Sequence, residues 1–503
     1  MGVLLPLFSI PSRGSWGIGE IPDLARLARW VDAAGMDFVQ ILPVNEMQDG
    51  QNSPYSALSA MAIDPIFIGM HDVNRGDRKL LETVRSAPAV VHQSVRALKE
   101  KALRAEYAVF TSTRRKSSAA RARDVRDFAE REAWWLDDYA LFRALHDEQH
   151  GRYWIEWPAG LRDRDPSALA AAARRLEPEI GYYKYVQWLA DEQWQATRAA
   201  ASPVGIFGDF PFMVNGHSAD VWARQHEFRL DASVGVPPDA FSETGQDWGL
   251  PVYRWDVIAE NGYQWLRDRA RRCAELYDGF RVDHVVGFFR TFVRERDKTT
   301  YFVPEEEAAQ CAQGETLLEL FGSYGSRIIA EDLGTVPDFV RESMSAHGVP
   351  GMQVFRWERE WLVPPHPFRD PARYPKAGVA TTGTHDTETM AEWWDGASEE
   401  ERDLVLDLPV FRTGDFTAGG AYSVPLRDAL LTLIATAHSD FVIFPMQDIF
   451  GWRDRINTPA SINGENWTWR LPFPVDELMT RPDALERAQF LRSLAQQSSR
   501  GER

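Results

Sequence analysis

The chain of 503 residues has only two cysteines, Cys273 and Cys311. Two thiols supply no disulfide framework, so the fold must rest on its apolar core, and a reducing cytoplasm is the expected compartment. Long apolar runs are missing too, since no stretch approaches the roughly 18 residues of a membrane span. The opening Met-Gly-Val-Leu-Leu-Pro-Leu-Phe has no basic start, and Pro6 and Pro11 interrupt its short apolar run. It reads as a first strand and not as a secretory signal. Positive charge is scarce: 56 Lys and Arg stand against 74 Asp and Glu, a formal net charge of −18. Nucleic acid and anionic membrane are therefore poor partners, because both call for basic patches. A neutral polymer stays open. No internal repeat or low-complexity linker is visible.

What is present is a globular composition, 44% apolar and 26% charged, able to bury a sizeable core. Aromatic content is 12%, with 19 tryptophans. Most of these rings belong to the core, yet flat sugar faces also pack on rings, which favours carbohydrate over phosphate chemistry. Short apolar runs recur at Val3–Ile10, Phe38–Val44, Gly205–Phe212, Gly279–Val285, Arg327–Leu333, Met352–Trp357, Val379–Asp386 and Phe441–Asp448. Helical patterns lie between them, for example Pro22–Ala34, Tyr263–Tyr277, Pro337–His347 and Leu426–His438. Eight alternating units predict an α/β fold, a single (β/α)₈ TIM barrel spanning 1–503. Two stretches exceed a minimal barrel. Residues 73–201 are Ala/Arg/Glu-rich and predict a helical insertion between strands 2 and 3, with Val186, Leu189, Ala190 and Trp194 on one face. Residues 215–260 are rich in Gly, Pro and aromatics and predict a loop-rich insertion after strand 3. Some 55 residues follow the last strand, too few for a C-terminal β-sandwich of about 100.

The stretch Gly279-Phe280-Arg281-Val282-Asp283-His284 places charges inside a buried strand, where they survive only if paired or functional. Alternation puts Arg281 and Asp283 on one face, and an ideal strand would turn His284 away. Taken alone, the stretch fits a structural Arg–Asp pair as well as an active site. In barrels of this kind the site forms at the C-terminal strand ends. Those ends carry Asp209, Asp283, Glu331 with Asp332, and Asp386 after His385. Four strands thus deliver acids to one mouth, with Arg281 as the one obvious basic partner. Such a cluster means paired carboxylates sharing proton work or a metal site. Spacings such as Asp-x-Asp or His-x-His, usual for a divalent metal, do not occur among these acids, and no metal or cofactor is expected. Paired carboxylates suit glycosidic-bond chemistry, in which one attacks the anomeric carbon and a protonated one serves the leaving oxygen. An arginine on the strand face of the first would favour its ionised form.

The segments Gly208-Asp209-Phe210-Pro211, Phe280–His284, Glu331-Asp332-Leu333-Gly334 and Gly383-Thr384-His385-Asp386 resemble those of the α-amylase clan. Ser53-Pro54-Tyr55-Ser56, Val236-Pro237-Pro238-Asp239 running into Phe241–Gly249, and Gln447-Asp448 followed by Asn457 narrow the resemblance. They point to the amylomaltases, the 4-α-glucanotransferases of glycoside hydrolase family 77, over essentially the whole chain. The resemblance implies a retaining transferase acting on α-1,4-glucans and maltooligosaccharides. Asp283 would be its nucleophile, Glu331 its general acid/base and Asp386 the third carboxylate. Arg281, His284, His385, Asp209 and Tyr55 would line the cleaved sugar's subsite, and Asp239, Phe241, Gln246 and Trp248 the acceptor side. Departures at Gly216-His217, Pro459-Ala460-Ser461 and Leu7–Pro11 bear on subsite preference and leave the carboxylates untouched. An α-1,4-glucan hydrolase is the nearest alternative, and a glucan-binding protein without catalysis the alternative from another class. The sequence carries no statement of oligomeric state.

Overall fold

Eight short parallel strands close on themselves in the order β1 (Gly2–Leu4), β2 (Phe38–Gln40), β3 (Gly205–Phe210), β6 (Gly279–Val282), β9 (Arg327–Ala330), β10 (Gly351–Val354), β11 (Gly378–Thr381) and β12 (Phe441–Pro445). The computed structural model describes residues 1–70, 77–112, 116–238, 245–459, 461 and 463–498, apart from the side chains of 116–118 and 413. Closure is complete: Gly2 pairs with Phe38 on one side and with Ile443 on the other. Strands this short suffice because every residue of β6, β10 and β11 is buried, as covered parallel strands require. Close packing shows at Gly208, where a Cβ would sit 2.3 Å from the ring of Tyr277. This is the (β/α)₈ architecture. A cavity of about 600 Å³ opens at the N-terminal mouth beside Asp37, Arg198, Asp278 and Arg327, at the opposite end from the strand termini that bear the acids.

All eight expected strands are present, but the expected runs extend past the ladders. Val285 is fully buried, yet β6 stops at Val282. Apolar character continues into the mouth because the loops there are packed, and burial alone does not mark the end of a strand. Between β2 and β3 run helices that include His92–Ser112, Ala133–Glu148 and Glu177–Ala201. In the last of these, Val186, Leu189, Ala190 and Trp194 are all buried.

The 215–260 segment differs from the loop expected there. It contains β4 (Phe228–Val236) and β5 (Gln246–Tyr253), an antiparallel pair. With β7 (Thr291–Glu295) and β8 (Thr300–Val303) they form a four-stranded sheet in the order β5-β4-β7-β8. The alternation in β4 is weak because Leu230 and Asp231 are both exposed, and the ladder shifts register twice. A half-solvated strand whose partner β7 comes from a distant segment leaves little local pattern. After β12 come a short helix, Met446–Phe450, a long irregular segment and the helix Pro482–Gln497, and no strand follows β12 among the described residues.

Candidate active site

Arg281 is the hub. Its Nη1 donates to both oxygens of Asp209 at 2.9 and 2.8 Å, and its Nη2 lies 2.6 Å from Asp283 Oδ1 and 3.9 Å from Glu331 Oε2. The guanidinium is buried and Asp209 more so, while Asp283 keeps 29% of its side chain exposed toward the mouth. Those two Nη2 distances cap the separation of Asp283 Oδ1 and Glu331 Oε2 at 6.5 Å. Arg281 and Asp283 do share a face. β6 then ends, and His284 takes a left-handed conformation with φ 49°. That conformation is uncommon outside glycine, though histidine enters it more readily than most residues, as asparagine and aspartate do. Here it turns the His284 N–H onto Glu331 Oε2 at 2.8 Å. The His284 ring does not follow an ideal strand outward; it stands edge-on to Trp248, with centroids 5.0 Å apart.

Glu331 follows β9 and is anchored from both sides. Its Oε1 accepts the Leu333 N–H at 3.0 Å, and its backbone N–H and carbonyl pair with Val282 and Val285. Burial pushes its carboxyl up to about 7; nearby Asp283 pushes the same way, while Arg281 and the two amide donors pull against them. A carboxylic acid so placed holds a proton near neutrality and can give it up. Asp386 has the opposite setting. Burial would raise it, but His385, whose Nε2 is 3.3 Å from Oδ2, and Asn457, whose amide donates to Oδ1 at 2.7 Å, hold it well below the usual carboxylate range. Burial opposes charge on His385 as well, yet Asp386 keeps it above the ordinary histidine value. Burial also pushes Asp209 up, to about 6, with Arg281 pulling it back.

Tyr55 joins the two halves. Its hydroxyl donates to Asp209 Oδ2 at 2.7 Å and meets His385 Nε2 at 3.2 Å, while its ring stacks on His385. Asp386, His385, Tyr55, Asp209, Arg281, Asp283 and Glu331 therefore form one polar chain across the mouth. His284 flanks it through Trp248, and Gln246 accepts the Trp248 indole N–H at 3.3 Å. Asp239 and Phe241 lie outside the described residues. Three neighbours were not expected as site residues: Asn457, although its motif was noted; Arg455, which donates to the Asp386 carbonyl; and Trp467, tilted against Tyr55 and His385. Arg455 and Trp467 lie in irregular chain after β12, where no periodicity flags them.

A family model for 4-α-glucanotransferase matches residues 5–476. The chain belongs to the 4-α-glucanotransferase family. This glucanotransferase is 35% identical to the 4-α-glucanotransferase of Thermus thermophilus, covering 93% of this chain and 94% of that one. It is 31% identical to the enzyme of Chlamydia pneumoniae, over 95% and 92%. Among solved structures, the amylomaltase of Streptococcus agalactiae in complex with acarbose superposes with a TM-score of 0.82 at 25% identity, over 100% and 99% of the chains. The glucanotransferase carries these acids at the C-terminal ends of its barrel strands, the end at which (β/α)₈ barrels build their sites.

Proposed function

We propose that this glucanotransferase moves α-1,4-glucan segments between maltooligosaccharides by a retaining double displacement, with Asp283 as nucleophile and Glu331 as acid and then base. The carboxylate of Asp283 attacks the anomeric carbon while Glu331 protonates the departing glycosidic oxygen, releasing the shortened glucan. A 4-hydroxyl of the acceptor then gives its proton to Glu331 and attacks the same carbon, freeing Asp283. Asp386, held anionic by His385 and Asn457, takes the hydroxyls of the cleaved sugar. Arg281, Asp209, Tyr55, His284 and His385 hold the charges and rings around that sugar, and Gln246 and Trp248, with Asp239 and Phe241, serve the acceptor.

The observation that carries this reading is the pair Asp283 and Glu331 on one guanidinium, with Glu331 poised near 7. Their facing oxygens lie no more than 6.5 Å apart, so the pair does not reach into the range of about 6.5–9.5 Å typical of inverting enzymes. That the Streptococcus agalactiae amylomaltase forms a complex with acarbose supports a saccharide as ligand here. The two free cysteines support a reducing cytoplasmic setting. Given maltotriose, the protein should yield glucose and a ladder of longer maltooligosaccharides with little growth in total reducing ends. Reducing ends that rise in step with substrate loss would make it a hydrolase.

A further inference from the structure

After β10 the chain makes a single turn, Phe355–Trp357, and leaves the barrel as a narrow projection. Arg359 and Phe368 pair as an antiparallel bridge, the Glu360 N–H donates to the Pro367 carbonyl, and the Arg369 N–H to that of Glu358. Its tip shows Trp361, Leu362 and Val363 at 58%, 97% and 54% exposure. Large apolar side chains grouped in water mark a surface that binds something.

The stem is fixed. Arg359 donates to the His366 carbonyl at 2.8 Å and to Glu401 at 3.1 Å, and its guanidinium lies 4.5 Å from the Phe368 ring and 5.3 Å from that of Trp361. The Trp361 indole N–H donates to the Trp357 carbonyl at 3.3 Å. A ring held this way loses little freedom when a ligand settles on it. The position is informative as well. In the barrel β10 stands between β9, which Glu331 follows, and β11, whose loop carries Asp386. Trp361 is seven residues beyond the end of β10, which places it within about 25 Å of the strand end. A glucan that leaves the cleft over this rim can run onto the tip, and a long chain has more sugars beyond the reacting bond with which to do so.

We infer that Trp361, with its apolar neighbours, is an outlying subsite for long α-glucan chains; this rests on the glucanotransferase reading. The test compares wild type with Trp361→Ala and Trp361→Phe on amylose and on maltotriose. Trp361→Ala should lower kcat/KM on amylose about fivefold, the scale of one lost ring contact, and leave maltotriose transfer unchanged. Trp361→Phe should recover part of the loss. Retardation in an amylose-containing native gel reads the same contact without turnover and should weaken in Trp361→Ala. Equal behaviour of wild type and Trp361→Ala on amylose in both assays overturns the inference. So does a concentration-dependent wild-type dimer that Trp361→Ala abolishes, which would make the tip a contact between copies. Failure of wild type to build longer sugars from maltotriose would instead strike the glucanotransferase reading, with the gel still reporting on the tip.

Discussion

The two flanks of the mouth are built in opposite ways. On the flank of Tyr55, residues 45–69 fold back through bridges Asn45↔Ile63 and Met47↔Ala57, and the helical insertion grips them with buried and half-buried side chains. Gln187 accepts the Ile63 N–H at 3.0 Å and donates to its carbonyl at 2.8 Å, so one side-chain amide replaces a neighbouring strand. Gln193 does the same for Gly69. Arg96 forks onto fully buried Asp64, and Tyr139 donates to Glu46. On the flank of Trp248, the β4–β5 pair carries exposed Gln246, Asp247 and Gly249, and Trp248 itself is half-buried. The contrast teaches a division of labour: the side proposed to hold the cleaved sugar is over-determined, and the side proposed to hold acceptors of varied length is left wet. Substitutions on the first flank should cost stability and activity together; those on the second should redistribute products without unfolding anything.

The largest effect lies between the flanks and calibrates both. Glu331→Gln should lower turnover by about 10²- to 10⁴-fold while leaving the unfolding transition cooperative. In the wild type, activity should decline as pH rises through about 7, because the raised carboxyl then loses the proton that glycosidic cleavage needs. A pH–rate profile of kcat/KM on maltotriose that stays flat to pH 9 would remove Glu331 from the role. Next comes Arg96→Ala, which takes the guanidinium from buried Asp64 and leaves it the Met47 and Ile66 N–H donors; breaking a buried pair runs to about 3–5 kcal/mol, read by urea denaturation. Gln187→Ala strands one buried N–H and one carbonyl and should cost about 1–3 kcal/mol, with transfer falling in parallel as Tyr55 loosens. Full activity in a clearly destabilised Gln187→Ala protein would break the comparison.

Much of this was legible in the sequence, and the gaps have physical causes. Eight apolar runs separated by helical patterns show a barrel because covered parallel strands are apolar on both faces. Acids at their ends then stand out as costly. The direction of His284 was hidden, since nothing in the local pattern signals that β6 stops at Val282 and that the chain then turns through a positive φ. Asn457 reaches Asp386 from irregular chain, and a single contact across 71 positions leaves no local pattern. The small sheet was missed because β4 depends on β5 and β7 for its ladder. The grip of Gln187 and Gln193 was equally invisible: on a helix, six residues apart, each reads as an ordinary polar position.

The smallest energetic effect is the sharpest test of the wet flank. Trp248→Ala should cost about 0.5–1.5 kcal/mol, the scale of the one ring pair it loses with His284. Its consequence should appear in what the glycosyl intermediate reacts with. Water far outnumbers any acceptor, so transfer prevails only when an acceptor sugar is held in attack geometry, where effective molarity exceeds that of the solvent. The Trp248 ring, braced edge-on by His284 and by Gln246 through its indole N–H, offers a fixed apolar face for that sugar. Removing it lowers the residence of the acceptor and leaves Asp283, Arg281 and Glu331 in place, so consumption of maltotriose should continue while reducing ends accumulate faster. The ratio of glucose released to longer sugars formed, followed alongside total reducing ends, reads this directly. An unchanged ratio in Trp248→Ala would mean that acceptors are held elsewhere along the mouth, and that the open flank is a consequence of the small sheet's edge and not a binding surface.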